Sequence, residues 1–286
     1  MNHTRILRNN NRVTSSKLPS VGPQATGSFT LRFVFDGAEQ CFIGRRRLDI
    51  QNDTFLVLNP GTRFTNIPGP DATVLTIELD AEYLNNFFVN ANNIHALTGI
   101  GSNNAIFLPE LAETVYPFKM EIKNAAIRLK DYLEEGEYDE EQLSLYVDRC
   151  LVTFYNIYNE EIIEKARKLN FLHYSTRVEI LRRLNLAKEY LYANYSRNVS
   201  LESLADHSCL SVNHLLRTFK LAYNQSPHQF LIQLRLQRAQ LLLAKTEYPI
   251  YTIVTMVGFK CTSSFIRLFR TRYKTTPLKY RNVLAA

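Results

Sequence analysis

A chain of 286 residues with 45% hydrophobic content, 16 Tyr and 17 Phe carries enough apolar side chain for two folded cores, which excludes a disordered or low-complexity polymer. Its four cysteines, Cys41, Cys150, Cys209 and Cys261, stand more than fifty positions apart with no C-x-x-C pair, which excludes a disulfide framework or zinc knuckle and points to a reducing, cytoplasmic setting. The formal charge of +7 is unevenly placed: residues 176–286 hold 17 Lys or Arg against 5 Asp or Glu, whereas residues 1–175 hold 17 against 22. A basic excess confined to the last third is the electrostatic footprint of a nucleic-acid-binding domain.

In chain order, the N-terminal MNHTRILRNNNRVTSSKLPS is basic and polar and lacks the apolar core of a signal peptide, so residues 1–18 are expected to form a disordered tail. No run anywhere approaches the ~18 apolar residues of a membrane helix. From Phe29 to Leu79, short alternating runs (FTLRFVF, CFIG, RRLDI, TFLVLNP, TVLTIEL) are separated by DG, NPG and PGPD turn signals, the pattern of a small β-sandwich or barrel. Arg45, Arg46 and Arg47 lie between strands, where alternation sends neighbours to opposite faces; an inward Arg there could hold an acidic effector. After Asp80 come helical pieces. YPFKMEIKNAAIRLKDYL places Ile122, Ala125, Ala126, Leu129 and Leu133 on one stripe. A second helix is expected over 140–168, with Leu143, Val147, Cys150, Leu151, Phe154 and Tyr158 on one face and Leu145, Val152, Tyr155 and Ile162 broadening it. So wide an apolar surface suits both packing on the sheet and dimerisation. The domain boundary is expected at Asn170 to Thr176, dividing a sensor or dimerisation domain (19–170) from a basic domain (176–286).

The basic domain contains a repeat of about fifty residues. SLADHSCLSVNHLLRTFKLAYNQSP aligns with TIVTMVGFKCTSSFIRLFRTRYKTTP, pairing Leu204 with Ile253, Leu215 with Phe265, Arg217 with Arg267, Phe219 with Phe269, Tyr223 with Tyr273 and Pro227 with Pro277. The second copy has one extra residue, as a turn tolerates. Each copy reads as helix, tight turn, helix, over about 200–221 and 250–272, with Ser200 and Ser211 as N-caps in the first. With Leu215 and Phe219 inward, Val212, Asn213, Leu216, Arg217 and Lys220 face outward. The matching outward set is Thr262, Ser263, Ser264, Ile266, Arg267 and Arg270. Such a face on the second helix of a pair suits a major groove, where Arg and Asn address base edges. Between the copies, Ser226 and Pro227 open a helix of about seventeen residues, a rigid spacer of roughly 25 Å that could set two recognition helices one DNA turn apart.

The run LADHSCLS-x3-L-x-R-x-FK, followed by SP-x-x-FL-x3-RL-x-x-A-x-x-LL, VGF-x5-F-x-R-x-FR and TP-x-x-YR, resembles the C-terminal domain of AraC/XylS-type transcriptional regulators across residues 177–282. The resemblance implies a seven-helix domain with two helix-turn-helix motifs. By matched position, Asn213, Leu216, Arg217, Thr262, Ser263 and Arg267 are the base-reading set, and Ser211, His214, Lys220, Ser264 and Arg270 are assigned to the DNA backbone. Departures fall mainly in the second motif. Val254 stands where the family has a small Ala, Cys261 where a capping Asp is common, and Lys274 where Gly ends the helix, which asks for a strained left-handed residue or another ending. Asn224 at the first such ending tolerates that conformation. Leu216 and Ile266 can touch only thymine methyl groups. Residues 29–79 resemble the family's cupin-like sensor barrels, but that stretch has no His to hold a metal.

His207 and His214 fall on different helices and do not suggest a metal site. Phe219, Tyr223, Phe269 and Tyr273 have core spacing, and Arg235 and Arg238 on the spacer suit pairing within the fold better than DNA contact. The expected whole is an α+β chain: an N-terminal β-rich cupin-like domain with a helical dimerisation segment, then an all-α double helix-turn-helix domain. It would act as a bacterial, nucleoid-associated transcription regulator, an activator by family tendency, with duplex DNA, RNA polymerase and a second copy as partners. A small-molecule effector would modulate it; no cofactor, metal, membrane or catalytic residue is expected. The rival readings are an N-terminal half that only dimerises, and a cupin enzyme fused to a DNA-targeting domain.

Overall fold

The N-terminal residues expected as a disordered tail form two strands in the computed structural model, β1 (Asn2–Ile6) and β2 (Arg12–Lys17). The correction has a local cause: backbone pairing needs no apolar pattern, and β2 pairs with the edge of the main sheet, burying Val13, Ser15 and Ser16. Ser15 Oγ donates to Glu134 at 2.6 Å, and the Arg8 backbone N–H donates to Glu140 at 2.6 Å. The structure describes residues 2–17, 21–51, 54–97, 113–136, 138–169 and 173–285. The chain divides into two compact units, Met1–Ile163 and Glu164–Ala286.

In the first unit the remaining strands are β3 (Gly22–Ala25), β4 (Phe29–Asp36), β5 (Glu39–Ile43), β6 (Arg46–Ile50), β7 (Thr54–Leu58), β8 (Arg63–Pro68), β9 (Thr73–Leu79) and β10 (Val115–Pro117). They form an antiparallel six-stranded sheet, β1-β2-β9-β4-β7-β10, and an antiparallel four-stranded sheet, β3-β8-β5-β6. Helix α1 (Ala81–Leu97) follows β9; α2 (Met120–Glu134) and α3 (Glu140–Tyr158) follow β10. One face of β4 and β7 packs on the helices, with the Phe29 and Phe55 rings 5.7 and 6.2 Å from Phe154. The other face meets the smaller sheet. There Arg32 on β4 makes a two-point ion pair with Glu39 on β5, both contacts 2.6 Å, and Arg32 Nη1 donates to Thr76 on β9 at 2.9 Å. Asn66 Nδ2 on β8 donates to Glu39 at 2.9 Å, and Gln24 Nε2 on β3 donates to Asn66 Oδ1 at 3.1 Å.

Of the three-Arg run, at least one member is expected to face water, with an inward effector contact as the lesser alternative, and Arg45 and Arg47 are exposed. Arg45 is exposed in the turn before β6, Arg46 Nη2 donates to the Glu113 carbonyl at 2.6 Å, and Arg47 pairs with Asp49 at 2.9 Å. The inward arginine is Arg32, and Glu39 already neutralises it.

The helix expected over 140–168 is interrupted. After α3 the chain makes a π-helical turn (Asn159–Glu164) and then the short α4 (Lys165–Lys168). The division between units therefore falls at 163/164 instead of 170–176; residues 170–172 of that expected linker lie outside the described residues. Within the second unit α4 packs on the helices that follow, with Ala166 buried and Lys165 Nζ 4.7 Å from the Tyr223 ring, and this draws it into that unit. The apolar residues of α3 also divide: Tyr155 is buried with the main face, as is Ile162 in the π-helical turn, while Leu145 and Val152 are exposed.

The second unit adds seven helices: α5 (Tyr174–Asn194), α6 (Leu201–His207), α7 (Val212–Tyr223), α8 (Pro227–Lys245), α9 (Ile250–Met256), α10 (Thr262–Tyr273) and α11 (Pro277–Ala285). Among the described residues no helix is long and apolar enough to cross a membrane.

Removing one partner of a buried ion pair strands the other charge in the interior, at a cost of about 3–5 kcal/mol. Glu39→Ala should lower the stability of the first unit by that amount in urea unfolding followed by circular dichroism, and Arg32→Met combined with Glu39→Met should recover a substantial part of it.

Candidate nucleic-acid interface

The two motifs share their turn geometry but not their caps, since only the first has side-chain caps on its helices. Ser200 Oγ accepts from the Ser203 N–H at 3.1 Å to start α6, and Ser211 Oγ accepts from the His214 N–H at 3.3 Å to start α7. Between them Cys209 takes a left-handed conformation, φ 53°, and Leu210 N–H returns to the Ala205 carbonyl at 3.0 Å. In the second motif Gly258 holds the corresponding position, φ 87°, and Phe259 N–H returns to the Val254 carbonyl at 3.0 Å. The extra residue of the second copy, Lys260, is exposed in the turn between Phe259 and Cys261.

Glycine is required at 258 for a reason absent at 209. A Cβ there would lie 2.7 Å from the Ser196 carbonyl oxygen, because the end of α5 closes against this turn. The same chain end is held by α8: Arg235 Nε donates to the Tyr195 carbonyl and Nη2 to the Arg197 carbonyl, both at 2.7 Å. Burial lowers the Arg235 pKa from its ordinary value. Arg238 is also buried, its guanidinium 5.7 Å from the Tyr195 ring. The spacer arginines are thus engaged within the fold.

Helix α8 is 19 residues long, about 28 Å, and opens with a capping box in which Ser226 Oγ accepts from the Gln229 N–H while Gln229 Oε1 accepts from the Ser226 N–H. Its first turn serves the first motif, where the Phe230 ring lies 5.8 Å from Phe219. Its later turns serve the second, where Leu236, Ala239 and Leu243 join a core with Ile253, Val254, Val257, Phe265 and Phe269.

On α7, Leu215, Thr218, Phe219 and Ala222 are buried; on α10, Phe265 and Phe269 are. Asn213, Arg217 and Lys220 are left exposed at i, i+4, i+7, with Leu216 half-buried beside them. The matching exposed stripe on α10 is Ser263, Arg267 and Arg270, with Thr262 and Ile266 beside it and Ser264 half-buried. Each base-reading assignment is therefore on an outward helix face. Of the backbone assignments, Ser211 is committed to its cap and His214 is half-buried. His207, on α6, lies with its ring 4.8 Å from Tyr190. Among the described residues no group of three or more His, Cys, Asp or Glu could hold a metal ion.

The three departures in the second motif have distinct outcomes. Val254 is buried within the core. Cys261 makes no side-chain cap; its Sγ lies 3.0 Å from Ser263 Oγ, and hydrogen bonds from Ser263 and Ser264 bring the exposed thiol down to about 7. Lys274 adopts the left-handed ending, φ 61°, with its N–H donating to the Arg270 carbonyl at 2.9 Å, as Asn224 (φ 54°) ends α7 in the first motif.

Residues 204–282 match the family model described as a helix-turn-helix domain. The Raffinose operon transcriptional regulatory protein RafR from Pediococcus pentosaceus is 32% identical over 105 residues, 37% of this chain and 38% of RafR. A solved AraC-type DNA-binding regulator from Chromobacterium violaceum is 29% identical over 36% of this chain and 92% of its own, with a TM-score of 0.35. Residues 204–282 thus form a helix-turn-helix domain similar to those of bacterial transcription regulators. A further relative, the bifunctional transcriptional activator/DNA repair enzyme AdaA from Bacillus subtilis, is 32% identical over 100 residues, 35% of this chain and 47% of AdaA. The chain thus spans less than half the length of these curated relatives. The sequence places both motifs but misses the closure of α5 on Gly258, because nothing local in VGFK signals a contact sixty positions upstream.

A left-handed lysine costs about 1–2 kcal/mol that glycine avoids, offset by the greater unfolded-state freedom of glycine. Lys274→Gly should raise the stability of the C-terminal domain by about 1 kcal/mol in thermal unfolding.

Proposed function

We propose that the protein is a DNA-binding transcription regulator that reads two successive major grooves of duplex DNA, one with each motif. The observation that carries this reading is the pair of matched outward stripes, Asn213–Arg217–Lys220 and Ser263–Arg267–Arg270, on helices joined through the rigid α8. Lysine and arginine supply salt-dependent attraction to phosphates, and the outward polar side chains supply discrimination between bases. The decisive experiment is selection of bound sequences from a random duplex library by the full-length protein. Two short blocks about one helical turn apart support the reading; no enriched sequence refutes it. On the selected site Arg217→Ala should cost about 1–3 kcal/mol and relax selectivity within one block. Equal weakening on all sequences would make Arg217 a phosphate contact instead.

The N-terminal unit, in this reading, is a cupin-like module that brings two copies together through α3 and thereby presents four motifs to DNA. Leu145 and Val152, exposed seven residues apart on α3, support that surface. Leu145→Glu with Val152→Glu should convert a dimer to a monomer in light scattering, and an unchanged mass would refute α3 as the interface. Activation through contact with RNA polymerase follows the family tendency.

For effector sensing, the groove of about 490 Å³ beside Phe42, Arg63 and Thr65 on the smaller sheet is a better place than the space between the sheets. An acidic molecule entering that space would have to displace Glu39 from Arg32. The paired Arg32 and Glu39 equally favour a module that only dimerises. A cupin enzyme is the weaker alternative: residues 29–79 offer no His, and DNA repair is a property of AdaA.

A further inference from the structure

We propose that Arg235 is a positioning residue that fixes the rotation of the second motif relative to the first, and so sets the spacing between the two DNA blocks the protein accepts. The inference rests on the double-groove reading above and goes beyond it by naming what selects the spacing.

Helix α8 by itself fixes a distance, since it is a continuous rod seated in both cores. Rotation of one half about the axis of that rod is fixed only by a second contact lying off the axis. The end of α5 supplies it. Helix α5 belongs to the first half: Tyr223 OH on α7 donates to Asn185 Oδ1 at 3.2 Å, and Arg183 Nη1 donates to the Cys209 carbonyl at 3.0 Å in the first turn. Beyond its last turn, however, the chain runs into the second half. Tyr195 packs against the second core, and the Ser196 carbonyl abuts Gly258 in the second turn. Arg235 closes this joint. Its two 2.7 Å hydrogen bonds take the carbonyls of Tyr195 and Arg197, and its guanidinium lies 5.8 Å from the ring of Phe259, the residue after Gly258. A planar fork that satisfies two carbonyls at once holds orientation as well as distance, which a single-point donor such as lysine cannot do. Because these carbonyls follow the last turn of a helix, they have no intrahelical donor of their own and depend on an outside one. The second recognition helix begins only a few residues beyond Phe259, so a tilt at this joint is carried directly into α10.

One base pair inserted between the blocks moves the second by about 3.4 Å and turns it by about 35° around the duplex. The test measures binding of the full-length protein to its selected two-block duplex and to versions with one base pair added or removed between the blocks. The wild-type protein is expected to lose about tenfold or more on either altered duplex, the size of a typical site defect. Arg235→Met keeps the apolar stem and removes both hydrogen bonds; its affinities for the three duplexes should converge to within about threefold, and Arg235→Lys should fall between. A loss of folded protein scales all three affinities together and leaves their ratios intact, so ratios separate positioning from stability. Gly258→Ala, which forces the same joint open from the other side, should also flatten the ratios.

Unchanged ratios in Arg235→Met and Gly258→Ala would overturn the proposal. So would uniform weakening by Arg235→Met that Arg235→Lys fully restores, because a phosphate contact behaves that way. If the wild-type protein selects only a single block, the double-groove reading itself fails and this inference falls with it, an outcome visible before any variant is made.

Discussion

Burial of Phe219 and Phe269 is the constraint on which the rest of the C-terminal domain depends. Each ring is fully inaccessible, and each is wedged against a second aromatic, Phe219 against Phe230 and Phe269 against Tyr280. Once these rings are placed, helical periodicity leaves no choice about which residues of α7 and α10 face water. Arginine at 217 and 267 is outward because phenylalanine two positions later is inward. The charge of the surface is thus a by-product of a packing decision repeated twice, and the similarity of the two stripes follows from the similarity of the two cores.

The N-terminal unit is organised around a different principle. Its main sheet has an oily face toward α2 and α3 and a partly polar face toward the smaller sheet. Arg32, Glu39, Asn66, Gln24 and Thr76 meet there in one hydrogen-bonded set drawn from five strands. Buried charge of this kind contributes little net stability compared with apolar packing, but it tolerates only one register of the strands that carry it. Slipping β5 by one residue would turn Glu39 away from Arg32 and send Cys41 outward with it. Register specification is a sufficient reason for an ion pair in a place where hydrophobic side chains would also fit.

The legibility of the sequence follows these two principles. In the C-terminal domain the caps Ser200, Ser211 and Ser226, the i, i+4 aromatics and the fifty-residue repeat are local signals, so both motifs could be placed from the residues alone. In the sheet unit the short apolar runs bounded by turn signals, β4 to β7 and β9, were readable. The others were hidden by composition. In β8 the inward residues are Phe64 and Asn66, one of them polar because it serves Glu39, and the alternation disappears. In β2 the buried partners of Val13 are serines, and β3 contains a glycine and a proline. The helix expected to run through residue 168 stops being α-helical at Asn159, since the contacts that draw α4 toward α5 and α7 are long-range. The left-handed Lys274 could be anticipated as strained, but only the geometry shows that the second motif keeps the same ending without glycine. The outward arginines were legible as a surface; which carbonyls Arg235 would reach was not.

The division of α8 between two cores has a consequence for folding. Phe230 near its start and Leu243 near its end are buried against different motifs, yet they lie on one uninterrupted hydrogen-bonded helix. Neither motif can therefore melt without exposing half of the helix that completes the other. The duplicated architecture, which looks like two modules in sequence, behaves energetically as a single cooperative unit. Amides near the middle of α8 should therefore exchange with solvent only when both halves open together, reporting the stability of the whole domain from one short stretch of backbone.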